Sequence, residues 1–286
     1  MRPILTFARL TLVEASRRRL LLALVLLTVV VCGFTGWGFS RITAPALSGG
    51  QQLSTVEVRT VASQLLILVA FLFSGVLALS SALTASPAIS GDIESHLTTA
   101  MLARPVLRAQ YVLGRWAGLA VLVIAYAAGS SALELAVVDI TVGYLPPHPA
   151  QLVLFIAAEG LVLMSLALCL STRLSGMTGG LIAIAAWFIA WLTGVLAAVG
   201  QVISNVALEN LGLAVRLLMP VDALWRGAIY AMEPAAIVAA ASQNRDLGAN
   251  PFTVLTPVPP AMLVWSVVWV VAIVGLSLWS VQRRDL

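Results

Sequence analysis

Six long apolar runs constrain the fold of this chain more than any other feature of its sequence. Each is about 20 residues or longer, and a helix of that length, rising about 1.5 Å per residue, crosses a hydrocarbon core about 30 Å thick. A strand isolated in lipid would leave its backbone amides and carbonyls unpaired, so each run is predicted to be helical. The predicted spans are residues 20–39, 60–84, 112–140, 151–171, 177–199 and 262–281.

The amino-acid composition excludes a soluble globular protein. Hydrophobic residues make up 60% of the 286 residues and charged residues only 10%, with a mean hydropathy of +1.02. Such a chain carries too few polar side chains to be solvated as a globule. We therefore predict an all-α integral membrane protein, with residues 1–286 as a single transmembrane domain.

The distribution of arginines indicates the orientation of the chain, because all 16 basic residues are arginines. An even number of spans puts both termini on one side. That side carries eleven of the arginines and the other side five, so the positive-inside rule places both termini in the cytoplasm. Residues 200–261 then lie on the extracytoplasmic side, where two mixed polar and apolar stretches are predicted to form re-entrant or interfacial helices.

The segment before the first span, residues 1–19, has helical periodicity. Leu5, Ala8, Leu12 and Ala15 recur at helical spacing among several arginines. This pattern favours an interfacial helix that lies along the inner membrane surface. Positive-inside flanking of the first span explains the same arginines equally well.

A polar interruption at residues 85–111 separates the second span from the third. Asp92 and Glu94 would lie in the opening turn of a short amphipathic helix that starts after Ser90, where acidic groups complement the helix dipole. Pro105 would end that helix and start a basic helix that leads into the third span. The alternative is an ordinary solvated loop with flanking arginines.

Enzymatic chemistry finds little support in the sequence. Cys32 and Cys169 lie inside predicted spans without a CxxC spacing, and His96 and His148 are the only histidines. A metal site or a nucleophilic triad would need more partners than these residues provide. No GxxxxGK[ST] phosphate loop occurs, so we predict that this chain alone does not hydrolyse a nucleotide.

Three acidic residues lie inside predicted spans, where ionisable groups are costly unless they are paired or hydrated. Glu134 and Asp139 lie in the outer part of the third span and Glu159 lies in the fourth. They are candidates for the lining of a translocation path, at similar heights if the two spans are antiparallel neighbours. The alternative is a structural clamp to nearby hydroxyl groups, those of Ser130, Ser131 and Thr141.

Small residues open the fifth span. Gly176, Gly179 and Gly180 have the spacing that permits close helix contact, and they are candidates for a dimer contact. Ordinary packing within one chain explains the same spacing.

Several segments of the chain resemble segments of the ABC-2 type transporter permeases and occur in the same order along the sequence. Leu102–Arg108, which reads Leu-Ala-Arg-Pro-Val-x-Arg, and Leu113–Gly118 resemble the first cytoplasmic loop of that family. The arginine-rich leader resembles the family's elbow helix. Met219–Trp225 resembles its proline-bearing segment before the last span, and Arg283–Leu286 resembles its tail.

The resemblance implies the membrane subunit of an ABC exporter in the bacterial plasma membrane. It implies a second permease subunit, in a homodimer or a heterodimer with the homodimer favoured, and membrane lipid around both subunits. It also implies two copies of a cytoplasmic ATPase that holds ATP and Mg; neither a cofactor in this chain nor a nucleic-acid partner is expected. The loop at 85–111 would be the coupling element. Its expected ATPase-coupling residues are Asp92, Glu94, His96, Leu97, Met101, Arg104 and Arg108.

Two other classes of function compete with transport. A membrane scaffold that recruits cytoplasmic proteins would need the same loop but no polar path across the membrane. A membrane-embedded enzyme is the weaker competitor, because no acid pair, histidine cluster or nucleophile motif converges in the sequence.

Overall fold

A computed structural model of the chain describes residues 2–16, 19–42, 55–95, 107–235, 238–239 and 252–284. Helices make up almost all of this part of the chain. Their bounds are α1 Arg2–Ser16, α2 Arg19–Ile42, α3 Thr55–Ala85, α4 Pro87–Glu94, α5 Arg108–Val142, α6 Pro149–Ser171, α7 Gly176–Val202, α8 Val206–Leu218, α9 Val221–Met232 and α10 Pro260–Gln282.

Six of these helical stretches are long and apolar enough to cross a membrane, which confirms the predicted fold class. They are α2, α3 continued by α4, α5, α6, α7 and α10. The second stretch is longer than expected, because Ser86 keeps a helical backbone (φ −63°, ψ −36°) and Pro87 is tolerated at the start of the next helix. The helix therefore continues to Glu94, into the polar interruption at residues 85–111, where a separate short helix after Ser90 was predicted.

Helix α6 is the centre of the bundle and the most buried of the six stretches. It contacts α3, α4, α5, α7, α9 and α10. Gly160 permits its close approach to α5 and α3, because an added Cβ would meet Val123 at 2.6 Å and Leu77 at 2.9 Å. Helices α5 and α6 run antiparallel, as expected from the short connection between them.

Helix α1 packs across the first turns of α5. Two glycines one turn apart form the contact: a Cβ on Gly114 would meet Phe7 Cβ at 2.4 Å, and one on Gly118 would meet the Ala8 carbonyl oxygen at 2.7 Å. The buried stripe of α1 is Phe7, Thr11 and Ala15. Leu5, one of the periodic apolar residues noted in the sequence, is 69% exposed and lies outside this contact.

Helices α8 and α9 form a hairpin that turns back along the spans, which decides between the re-entrant and interfacial alternatives. Gly212 of α8 faces Ala197 of α7, and Asp222 at the start of α9 faces Gly194. Gly194 lies eight residues before the end of α7 at Val202, a depth of about 12 Å. We therefore describe the hairpin as re-entrant.

At the turn of this hairpin, two tryptophans of α10 donate hydrogen bonds to the last backbone carbonyl groups of α8. The last carbonyl groups of a helix have no partner within the helix, which is costly in apolar surroundings. Trp265 Nε1 donates to the Leu217 carbonyl oxygen at 3.0 Å, and Trp269 Nε1 donates to the Leu218 carbonyl oxygen at 2.7 Å. Helix α10 thereby holds the end of α8.

Glu233 ends α9 at the end of the bundle opposite the termini and is 3% exposed. Both of its carboxylate oxygens accept from the backbone N–H of Val254 at 3.2 Å. Burial raises the pKa of Glu233 to about 7, which outweighs the lowering by Val254, Thr253 and Arg226. The folded chain therefore holds this proton at pH values where the unfolded chain has lost it.

Glu233→Gln is expected to remove one pH dependence of stability. Because the folded pKa is raised from 4.5 to about 7, the wild type should lose stability relative to the variant as the pH rises through that window, and no further above it. The loss should be about 3 kcal/mol at most. Thermal unfolding of both proteins in detergent between pH 4.5 and pH 8 measures it. A difference in melting temperature that stays constant with pH would contradict this assignment.

Candidate functional site

A buried network around Arg115 joins three helices at the end of the bundle that carries both termini. Arg115 is 5% exposed; its Nη1 donates to Glu14 Oε2 at 2.7 Å, and its Nη2 pairs with Asp92 Oδ2. Tyr111 donates its hydroxyl proton to the same Asp92 oxygen at 2.6 Å. Glu14 belongs to α1, Asp92 to α4, and Tyr111 and Arg115 to α5. We call these four residues the Arg115 network.

The two ion pairs of this network differ in strength. The Glu14 side chain is 43% exposed, so water screens its pairing with Arg115 and the gain is under about 1 kcal/mol. The Asp92 side chain is only 10% exposed, and removing one member of such a buried pair costs about 3–5 kcal/mol. The Asp92–Arg115 pair, which joins α4 to α5, therefore contributes more to stability than the Glu14–Arg115 pair.

A second set of arginine contacts ties α10 to the same end of the bundle. Arg108 Nη1 donates to the carbonyl oxygens of Gln282 at 3.0 Å and Arg284 at 2.8 Å. Arg173 Nε donates to Ser280 Oγ at 2.8 Å. Cations are favourable at a helix C-terminus, where the carbonyl dipoles point outward. Arg108, one of the expected ATPase-coupling residues, thus contacts carbonyl groups at the end of α10 and just beyond it.

The structure revises the place of the predicted coupling acids. Asp92 does not open a helix, because α4 begins at Pro87 and Asp92 lies in its last turn. Its carboxylate is enclosed by Arg115 and Tyr111, and Asp92 is buried. Glu94 is exposed at the end of α4. The remaining predicted coupling residues lie outside the described residues: His96, Leu97, Met101 and Arg104.

The three acids proposed for a translocation path do not converge. Glu159 is clamped, since Ser74 Oγ donates to its carboxylate at 2.8 Å and Trp187 Nε1 donates at 2.9 Å. The clamp alternative is thus the better description, with different partners from those predicted. Asp139 is exposed on another face of α5.

Glu134 lies at a different depth from Glu159. It lines a cavity of about 20 Å³ with Leu152 and Ile156, and Glu159 follows Ile156 by about one turn, or about 5 Å. The carboxylate of Glu134 is buried beside the side chains of Cys32 and Thr35 in α2. Glu134 therefore lies about one helical turn away from Glu159 rather than at the same height.

The glycines at the start of α7 pack within this chain. An added Cβ on Gly176 would meet Pro87 at 3.1 Å, and one on Gly180 would meet Ser86 Oγ at 3.0 Å. Gly179 has Leu170 of α6 at 3.4 Å from the same position. Gly179 and Gly180 are buried, so they are not available for the dimer contact that was predicted.

The buried ion pairs that join the helices were not predicted from the sequence. Arg115 was one of several arginines at the start of a span, and its partners Glu14 and Asp92 are distant in sequence. Arg216 and Asp222 form a second such pair across the turn of the α8–α9 hairpin, with 2.5 Å between Arg216 Nε and Asp222 Oδ2. The signal that could have found them is a charge in an otherwise apolar helix, which needs a partner.

The part of the chain that the structure describes offers no group of three or more histidine, cysteine, aspartate or glutamate side chains that could hold a metal ion.

The chain matches none of the curated proteins with which it was compared. The model of one protein family, described as ABC-2 family transporter protein, matches residues 8–286. That match includes all six apolar stretches and the whole of the Arg115 network. The chain therefore belongs to the ABC-2 family of transporter proteins, whose members are membrane components of ABC transporters.

Proposed function

We propose that this chain is the translocating subunit of an ABC exporter in the bacterial plasma membrane, with both termini in the cytoplasm. The observation that carries the proposal is the Arg115 network together with residues 96–106. That segment connects α4 to α5, and the network joins these two helices to α1. A displacement of this segment would therefore be transmitted to α1, α4 and α5 together.

The motor would be a separate protein. The sequence has no phosphate loop, so ATP and Mg would be held by two copies of a cytoplasmic ATPase subunit. Two permease subunits would share them, as a homodimer of this chain. ATP-driven closure of the ATPase pair would displace the segment at 96–106. Glu94, which is exposed, and the nearby His96 would lie at or near the contact.

The Arg115 network is suited to transmit such a displacement. A buried, hydrogen-bonded ion pair resists separation, because parting its members leaves charges without partners in apolar surroundings. The Asp92–Arg115 pair would make α4 and α5 move together, and the Gly114 and Gly118 contacts would carry α1 with them. In this account α1 is the elbow helix of the exporter.

Neutralising the predicted contact should uncouple ATP hydrolysis from the permease. We expect the double variant Glu94→Gln, His96→Asn to fold normally, since Glu94 is exposed, and to lose the change in ATPase rate that the permease causes, by about five-fold or more. The measurement compares ATP hydrolysis by the complex in lipid vesicles with hydrolysis by the ATPase alone.

Asp139→Asn is the matched control, because Asp139 is an exposed acid at the other end of the bundle. It should leave the permease-dependent ATPase rate unchanged. If the double variant and the control both behave like the wild type, the contact is not made through Glu94 and His96.

A further inference from the structure

A groove of about 760 Å³ runs along the bundle between α6, α9 and α10. Phe155 and Ala158 of α6 form one wall, and Val267 of α10 forms the other. Leu224 and Gly227 of α9 close the back. The volume lies within the range of sites that bind small molecules, about 300–1,000 Å³. No role in the coupling account uses this groove.

The groove spans half of the membrane. Gln151 marks its mouth near the start of α6, and Leu161 lies ten residues further along the same wall, about 15 Å. On α10 the lining runs from Leu263, near the start of the helix, to Val271. A hydrocarbon core is about 30 Å thick, so the groove has the length of one leaflet. That leaflet is the one opposite the termini.

The groove is open sideways. Three of its lining residues are among the most exposed apolar side chains of their helices: Leu154 is 68% exposed, Val267 is 64% exposed and Val271 is 66% exposed. In a membrane these side chains face hydrocarbon rather than water. An occupant can therefore enter laterally from the leaflet.

The polar groups inside the groove are already satisfied. Ser266 Oγ donates to the Met262 carbonyl oxygen at 2.8 Å, and Trp116 Nε1 donates to Ser165 Oγ at 2.9 Å. The rest of the lining below the mouth is almost entirely apolar. Only an apolar occupant matches such a surface without leaving a polar group unpaired.

We propose that this groove binds one acyl chain of a phospholipid from the leaflet opposite the termini. The ester end of the chain lies at the mouth, beside Gln151 and Tyr230, and the methyl end lies beside Leu161 and Val271. The lipid chain lies between α6 and α10, in front of α9 of the re-entrant hairpin. The proposal does not depend on coupling to an ATPase.

Photo-crosslinking in nanodiscs tests the site and its orientation. The probes are two phosphatidylcholines, one with a diazirine at the methyl end of an acyl chain and one with a diazirine near the ester. After illumination, peptide mass spectrometry should find the methyl-end adducts at Leu161 and Val271 and the ester-end adducts at Gln151 and Leu263. Ala158→Trp, which fills the groove, should reduce both to the level at exposed positions elsewhere. Ile189→Trp, on the exposed face of α7, is the control and should leave them unchanged.

Three outcomes would overturn the proposal. Equal labelling of all exposed apolar positions would show only annular lipid. The reverse order of methyl-end and ester-end adducts would show a chain from the other leaflet. Adducts that are absent from the groove, together with disulfide-linked dimers of Val267→Cys, would show that a second copy of this chain covers it. The melting temperature of Ala158→Trp establishes that a loss of adducts is not a loss of fold.

Discussion

Arg115→Gln should lower the melting temperature of the purified permease in nanodiscs by on the order of ten degrees. The variant leaves Asp92 buried with Tyr111 as its only described partner and without a positive charge. Loss of one member of a buried ion pair costs about 3–5 kcal/mol. The same variant should weaken the dependence of ATPase rate on the permease, because α4 and α5 are no longer held together.

Two further variants separate this pair from general effects of charge. Arg9→Gln removes an exposed arginine of α1 and should change the melting temperature very little. The double variant Asp92→Asn, Arg115→Gln should recover part of the loss, because it no longer leaves the buried charge of Asp92 without Arg115. An Arg115→Gln protein as stable as the wild type would show that the network does not hold α4 against α5.

Gly118→Val should detach α1 from α5. Even an added Cβ would lie 2.7 Å from both the Ala8 carbonyl oxygen and Thr11 Cβ, and the backbone atoms there cannot move aside as a side chain can. Overpacking of this kind costs about 1–3 kcal/mol, and the branched valine adds to it. Hydrogen exchange of the α1 amides, measured by mass spectrometry, should be faster in the variant than in the wild type.

Gly129 provides the matched control on the same helix. An added Cβ there would meet nothing within 4 Å, so Gly129→Ala should leave α1 protected and raise stability by up to about 1 kcal/mol through helix propensity. Unchanged exchange of α1 in Gly118→Val would mean that this contact is not what fixes the position of α1.

The membrane spans could be predicted from the sequence because each depends on local properties. A run of about 20 apolar residues must form a helix in lipid wherever it lies in the chain. The re-entrant hairpin was predicted as one of two alternatives, since its stretches are too polar for comfortable spans. Its depth depends on Gly194 and Gly212 of neighbouring helices, which allow the close approach, and no local pattern states which helices will meet.

The candidate site was harder to predict, because its parts come from distant segments. Asp92 and Glu94 look alike in sequence, but Asp92 is enclosed by Arg115 and Tyr111 whereas Glu94 is exposed. Glu159 could be recognised as an acid that needed a partner, but not as the partner of Trp187. In each case the missing information is a tertiary contact between helices.

The composition of the assembled complex tests whether this chain is driven by an ATPase subunit. The chain is co-expressed with a candidate ATPase subunit that carries Walker motifs, and the mass of the purified complex is measured by native mass spectrometry. We predict two copies of each protein, with ATPase binding lost when residues 96–101 are replaced by glycine and serine. A permease that is folded and dimeric but binds no ATPase subunit would contradict the claim that this chain is driven by ATP.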